Sequence, residues 1–128
     1  MYNLEEIRSS VQRLTNGIAH SMKVEIAVFD SRANLFCCSP VYLKRKGRAV
    51  HAPSINEVMS YGSMLVNRPG EMPSCMGCRF KDNCPSTIEI LSCIKADGVV
   101  IGVIAMSSFT KEGHQRISSN IQMYQYIV

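Results

Sequence analysis

The sequence predicts an α+β fold, an antiparallel sheet flanked by N- and C-terminal helices, and three observations carry that prediction. Apolar residues recur at helical spacing near the two ends of the chain and in one short stretch between them. Alternating, β-branched runs fill most of the remainder. The two longest of these runs meet at Asp97-Gly98, a pair that supplies the positive φ of a tight hairpin. With 128 residues, 46% apolar and 19% charged, the chain suits one domain with its own core.

Residues 3–22 read as a helix, because Leu4, Ile7, Val11, Leu14 and Ile18 recur at steps of three and four. The seam is narrow and heptad-like, suited to packing on its own domain or on the same helix of a second copy. Next, "VEIAVFDS" (24–31) alternates as a strand does, "SRAN" turns, and "LFCCS" returns as a second short strand. "YLKRKGR" reads as a basic, solvated loop. In "SINEVMSYG", Ser54 and Glu57 have the spacing of a capping box, and Gly62 is placed to end the short helix.

"SMLVN" is a third strand, closed by the turn "RPGE", and a cysteine loop occupies 69–86. "TIEILSCI" and "VVIGVIAMSSF" then form the clearest hairpin. Residues 99–106 are apolar on both faces, so theirs should be a central strand covered on both sides. Thr110 is a candidate cap for a last helix with a seam of Ile117, Ile121, Tyr124 and Val128. The chain stops in mid-seam at "MYQYIV", which suggests that the last helix continues in a longer protein. Small sensory domains of the PAS and GAF kind share this element order, with the helices to one side of the sheet and the terminal helices framing it.

The net charge of +4 is too mild to argue for nucleic-acid binding. Lys44, Arg45, Lys46 and Arg48 are the one basic cluster, with no aromatic residue interleaved and no recognition helix following. No apolar run approaches the ~20 residues of a membrane span. The polar start "MYNLEEIRSS" is unlike a secretory signal, so a cytoplasmic location is expected. No glycine-rich phosphate loop, paired carboxylates or arguable Cys–His or Ser–His–Asp set is present, so no catalysis is expected. His20, His51 and His114 are far apart in sequence, and the eight methionines read as adaptable core filling.

The chemistry concentrates in "CMGCRFKDNC", residues 75–84. Cys75-x-x-Cys78 has the spacing that sets two sulfurs on one tetrahedral metal, and Cys84 is near enough to fold back as a third ligand. Cys93 is the leading fourth ligand, with Cys37, Cys38 and His51 as further candidates. Zinc and a four-iron cluster both accept four thiolates, although the spacing matches neither common ferredoxin pattern. Arg79 and Lys81 favour thiolates, which helps metal binding and oxidation alike. A reversible disulfide and unliganded thiols remain open beside the metal. Cys37 and Cys38 point to opposite faces of a strand, so at most one joins a given site, and both read first as small buried side chains. A thiol oxidoreductase would need Cys75-x-x-Cys78 at a helix N-terminus after a strand, and the flanking prolines argue against that.

The stretch from Asn67 to Arg116 resembles the N-terminal sensory domain of sigma-54-dependent transcriptional regulators, mostly from clostridia and their relatives. The matching pieces are "NRPGEMPSCMGCRFKDNC", "IEILSCI", "DGVVIGVIAMSSFT" and "EGHQRI", preceded by "AHSMKVEIAVFDS". In that group a Pro-Gly turn precedes a Cys-x-x-Cys and a third cysteine. The resemblance implies a PAS/GAF-like domain set ahead of an ATPase that remodels sigma-54 polymerase and a helix-turn-helix DNA-binding domain, both outside this sequence. It carries over Cys75, Cys78 and Cys84, with Cys93 beside the group's "PI" position. This chain departs from the group at Cys93-Ile94, which lacks the proline, and at Ala105, where a glycine is usual; "NLFCCSP" does not align.

The functional expectation is a non-enzymatic sensor that dimerises through its terminal helices, with the cysteine loop binding zinc or an iron–sulfur cluster or responding to redox state. The alternative is a structural, zinc-stabilised dimerisation module that senses nothing. A small-molecule effector is also possible, and the sequence does not name one.

Overall fold

The structure is a computed structural model that describes residues 7–47, 52–66, 69, 71–78 and 84–127. Its centre is a five-stranded antiparallel sheet in the order β2-β1-β5-β4-β3. Strand β1 is Glu25–Asp30, β2 Leu35–Cys38, β3 Ser63–Val66, β4 Ile88–Ala96 and β5 Val99–Ser108. As expected, β5 is central, paired with β1 on one side and β4 on the other. The β4–β5 hairpin turns at Asp97 (φ 51°) and Gly98 (φ 79°), both in the left-handed region that this turn requires.

Helices cover both faces of the sheet, where the sequence suggested one. On the first face lie α1 (Arg8–Met22), α4 (Lys111–Ser118) and α5 (Ile121–Ile127). Ile26 and Val28 of β1, Ile88 and Ile90 of β4 and Met106 of β5 meet Val11, Ile18 and Met22 of α1, together with Ile117 and Tyr124. On the second face lie α2 (Pro40–Lys46), α3 (Ala52–Tyr61) and the start of the cysteine loop. Ala27, Phe29, Leu91, Val103 and Ala105 supply the sheet side there, and Tyr42, Ile55 and Val58 the helix side. A sheet apolar on both faces needs both covered, which is why β5 shows no alternation.

Three expectations change. "YLKRKGR" belongs to a helix rather than a solvated loop: Ser39 is the N-cap residue with extended backbone and Pro40 takes the first turn, where its missing N–H is no loss. Arg48 lies outside the described residues. Helix α3 begins at Ala52, so Ser54 is a buried residue within it, not its cap. The last helix is two, because Ser119 turns its hydroxyl back to the carbonyls of Gln115 and Arg116 and competes with helix continuation. Thr110 does cap α4, accepting from the Gly113 N–H at 2.9 Å. Gly62 (φ 99°) ends α3 as expected.

Candidate functional site

The β1–β2 pairing decides where two cysteines go. Ala27 faces Cys38 and Val28 faces Cys37, but Phe29 faces Leu35, so Phe36 is the extra residue of a bulge. Cys37 therefore joins Phe36 under the terminal helices, while Cys38 and Leu35 pack on the opposite face. This is the separation that strand geometry predicts. Cys37 is 6% exposed and shares a hydrogen bond of 3.7 Å with Thr15 of α1. Burial pushes its thiol above the usual range, against the smaller opposing effects of Thr15 and Arg8.

The second face holds Cys38, Cys75 and Cys93 in its apolar cluster. Cys75 is 7% exposed and ends a short 3₁₀ turn, Pro73–Cys75, that packs against α3. The Cys78 N–H donates to the Cys75 carbonyl at 3.0 Å, and Gly77 (φ 82°) allows this tight return beside Pro53. Cys93, on β4, packs against the same apolar cluster, and its N–H donates to the Gly62 carbonyl at 2.8 Å. Cys78 and Cys84 are half-buried. No disulfide joins any two of the six cysteines. Cys75 and Cys78 sit in turns rather than at a helix N-terminus, which removes the geometry a thioredoxin-like pair needs.

Tyr42 lies at the middle of this layer. It is fully buried, its ring sits 6.1 Å from that of Phe109, and its hydroxyl has no hydrogen-bond partner among the described residues. Burial first, then the negative charges of Glu89, Cys38, Cys84 and Cys78, pushes the phenol far above its usual range. Beside it, Lys46 reaches from the end of α2 to Glu89 on β4 at 2.9 Å, with both side chains nearly inaccessible. Ser107, opposite Glu89 on β5, donates to the same carboxylate at 3.1 Å.

Of the cysteines singled out in the sequence, Cys38, Cys75 and Cys93 thus pack on this face and Cys37 on the other. As they stand, no three His, Cys, Asp or Glu side chains among the described residues are grouped closely enough to hold a metal ion. By type the donors suit zinc or an iron–sulfur cluster; by position they do not converge on one point among the described residues. His51, Arg79 and Lys81 lie outside the described residues. Sequence reasoning overlooked Tyr42 and the Lys46–Glu89 pair. Their partners are 43 residues apart in the chain, and no local pattern announces such a contact.

No protein-family model matches the sequence, and no curated protein does. Solved structures do share the fold. A GAF domain of the A. aeolicus NLH2 protein, in an inactive state, matches with a TM-score of 0.61 and 14% identity over 92% of this chain and 79% of its own. A GAF domain/HD domain protein from Geobacter sulfurreducens matches at 0.58 and 14%, over 87% of this chain and 84% of its own. The free methionine-R-sulfoxide reductase of Neisseria meningitidis, solved with its substrate, matches at 0.58 and 16%, over 83% and 67%. The fold of this chain is GAF-like: a five-stranded antiparallel sheet with flanking helices. No helix among the described residues is long and apolar enough to cross a membrane.

Proposed function

We propose that this chain is a cytoplasmic, non-enzymatic sensory domain of a sigma-54-dependent transcriptional regulator. Its cysteine loop responds to a metal ion, an iron–sulfur cluster or redox state. The terminal helices pass the response, as a homodimer, to output domains that act on sigma-54 polymerase and DNA. One observation carries the reading: Cys38, Cys75 and Cys93 pack on one face of the sheet and the terminal helices on the other, so a change on one side has a short packed path to the other. The GAF-like fold, shared with a domain solved in an inactive state, supports a regulatory role.

In this reading Cys75, Cys78, Cys84 and Cys93 are the candidate ligands, and a bound ion would supply charge and cross-linking rather than catalysis. The sheet holds Cys93 in place while the loop carries the other three. Metal analysis and absorbance of anaerobically purified chain, before and after thiol oxidation, test it. Stoichiometric zinc or iron, or a cysteine-dependent change in the terminal helices, supports it. Absence of both sinks it. If chelation only unfolds the chain and no second folded state appears, the protein is the structural zinc module instead.

A second reading is favoured by the likeness to the methionine-R-sulfoxide reductase. There, a cysteine pair on this face would reduce a small sulfoxide: two thiols become a disulfide, and the sulfoxide oxygen leaves as water. Turnover of free methionine sulfoxide with a dithiol reductant would establish that reading, and no turnover would remove it.

A further inference from the structure

The segment Cys75-Met76-Gly77-Cys78 is a type II β-turn. Met76 takes its first central position at φ −67° and ψ 126°, and Gly77 the second at φ 82°. The Cys78 N–H closes the turn on the Cys75 carbonyl at 3.0 Å. Glycine suits the second position because it adopts that positive φ without steric cost. Such a turn holds its outer Cα atoms within about 7 Å of each other, the span that a disulfide can bridge. The backbone alone thus brings these two cysteines into bridging range. The cysteines on the strands are placed differently. Cys38 on β2 and Cys93 on β4 are separated by β1 and β5, which amounts to three strand spacings or about 14 Å. Cys37 lies under the terminal helices.

Resting on the redox branch of the function proposed above, we propose that Cys75 and Cys78 form a reversible disulfide across this turn, with a low-molecular-weight disulfide as the oxidant. Cys78 is half-buried beside the exposed Gly77 and Met76, the latter 62% exposed, whereas Cys75 is 7% exposed within the apolar cluster. The two roles follow from that difference. The Cys78 thiolate attacks one sulfur of the oxidant, and the first small thiolate leaves. The Cys75 thiolate then attacks the Cys78 sulfur of the mixed disulfide, and the second small thiolate leaves. The pair gives up two electrons and two protons, and the oxidant takes them up as two thiols.

Closure acts on α3. The 3₁₀ turn that ends at Cys75 packs against this helix, and Gly77 stands beside its Pro53. Helix α3 in turn packs on β4 and β5. The bond therefore fastens Cys78 to a segment seated on α3, and through α3 to the central hairpin.

Incubation of the 128-residue chain with glutathione disulfide, followed by acid quench, alkylation and peptide mass spectrometry, tests the assignment without any variant. The expected product is a Cys75–Cys78 disulfide that dithiothreitol opens again. Cys75→Ser should stop at a mixed disulfide on Cys78, and Cys78→Ser should leave Cys75 unmodified. Gly77→Ala lets the reduced loop leave the turn that the disulfide needs, and should lower the equilibrium constant for closure against glutathione by about 5–30-fold. A disulfide between any other pair of cysteines overturns the assignment, while the redox reading stands. A chain that forms no internal disulfide overturns both, and the metal reading is then decided separately by metal analysis.

Discussion

The two faces of the sheet are built on different chemistry. Under the terminal helices the contact is almost wholly apolar: Ile26, Val28, Ile88, Ile90, Met106, Ile117 and Tyr124 form one cluster. Under α2, α3 and the cysteine loop, an apolar floor carries a buried ion pair, a phenol without a hydrogen-bond partner among the described residues, and Cys38, Cys75 and Cys93. The first face has the composition of a core that holds helices in place. The second contains groups that are costly to bury and that add little to stability by themselves. Such groups are retained where a site needs them, so the proposed function assigns sensing to the second face and output to the first.

The sharpest way to break the second face is to remove one member of its ion pair. Glu89→Ala removes the carboxylate that Lys46 contacts at 2.9 Å and should cost about 3–5 kcal/mol in urea unfolding. The paired variant Lys46→Met with Glu89→Leu should recover most of that, since an apolar pair of similar volume is close to neutral. If the single and double variants lose the same amount, the pair is not the buried unit described above. On the first face, Ile117→Ala removes a fully buried side chain and should cost about 3 kcal/mol, without altering any thiol's reactivity. A change in Cys78 or Cys84 labelling in that variant would show that the faces are less separate than their packing indicates. Smaller again, Thr110→Ala removes the cap of α4 and should cost about 1 kcal/mol.

Alkali discriminates the faces most gently. Burial raises the Cys37 thiol above its ordinary 9.0 and the Tyr42 phenol above its ordinary 10.0. Folding therefore favours the protonated form of both groups. Their contribution is complete below about pH 9 and is lost as pH rises toward their folded-state values. Cys37→Ala should remove the earlier part of this alkaline decline, and Tyr42→Phe the later part, in unfolding curves collected across that range. A decline unchanged in both variants would assign it to other groups.

The sheet was legible in the sequence because its strands carry local signals. Asp97-Gly98 marks the hairpin, and the unbroken apolar run after it marks the central strand. The terminal seams were only half informative. Val11 and Ile18 are used by the chain's own core, whereas Leu14 remains 66% exposed, and no spacing rule separates those fates. Helix α2 was signalled by Ser39-Pro40 but masked by four basic residues that look like a solvated loop. The cysteine loop was recognisable by spacing alone. The relation of Cys38 to Tyr42 was not, because it depends on a bulge at Phe36 and on a helix that brings a tyrosine over the sheet. Contacts of that kind are set by topology, and local periodicity does not encode them.

The central claim is that a change among the thiols reaches the terminal helices through the sheet. Amide hydrogen exchange of the 128-residue chain, compared with and without zinc under reducing, anaerobic conditions, measures this directly. Altered protection is expected in the cysteine loop, in β2 and in α1 around Arg8 and Gln12, which donate to the Phe36 and Cys38 carbonyls of β2. Protection that changes only in the loop, or nowhere, would contradict it.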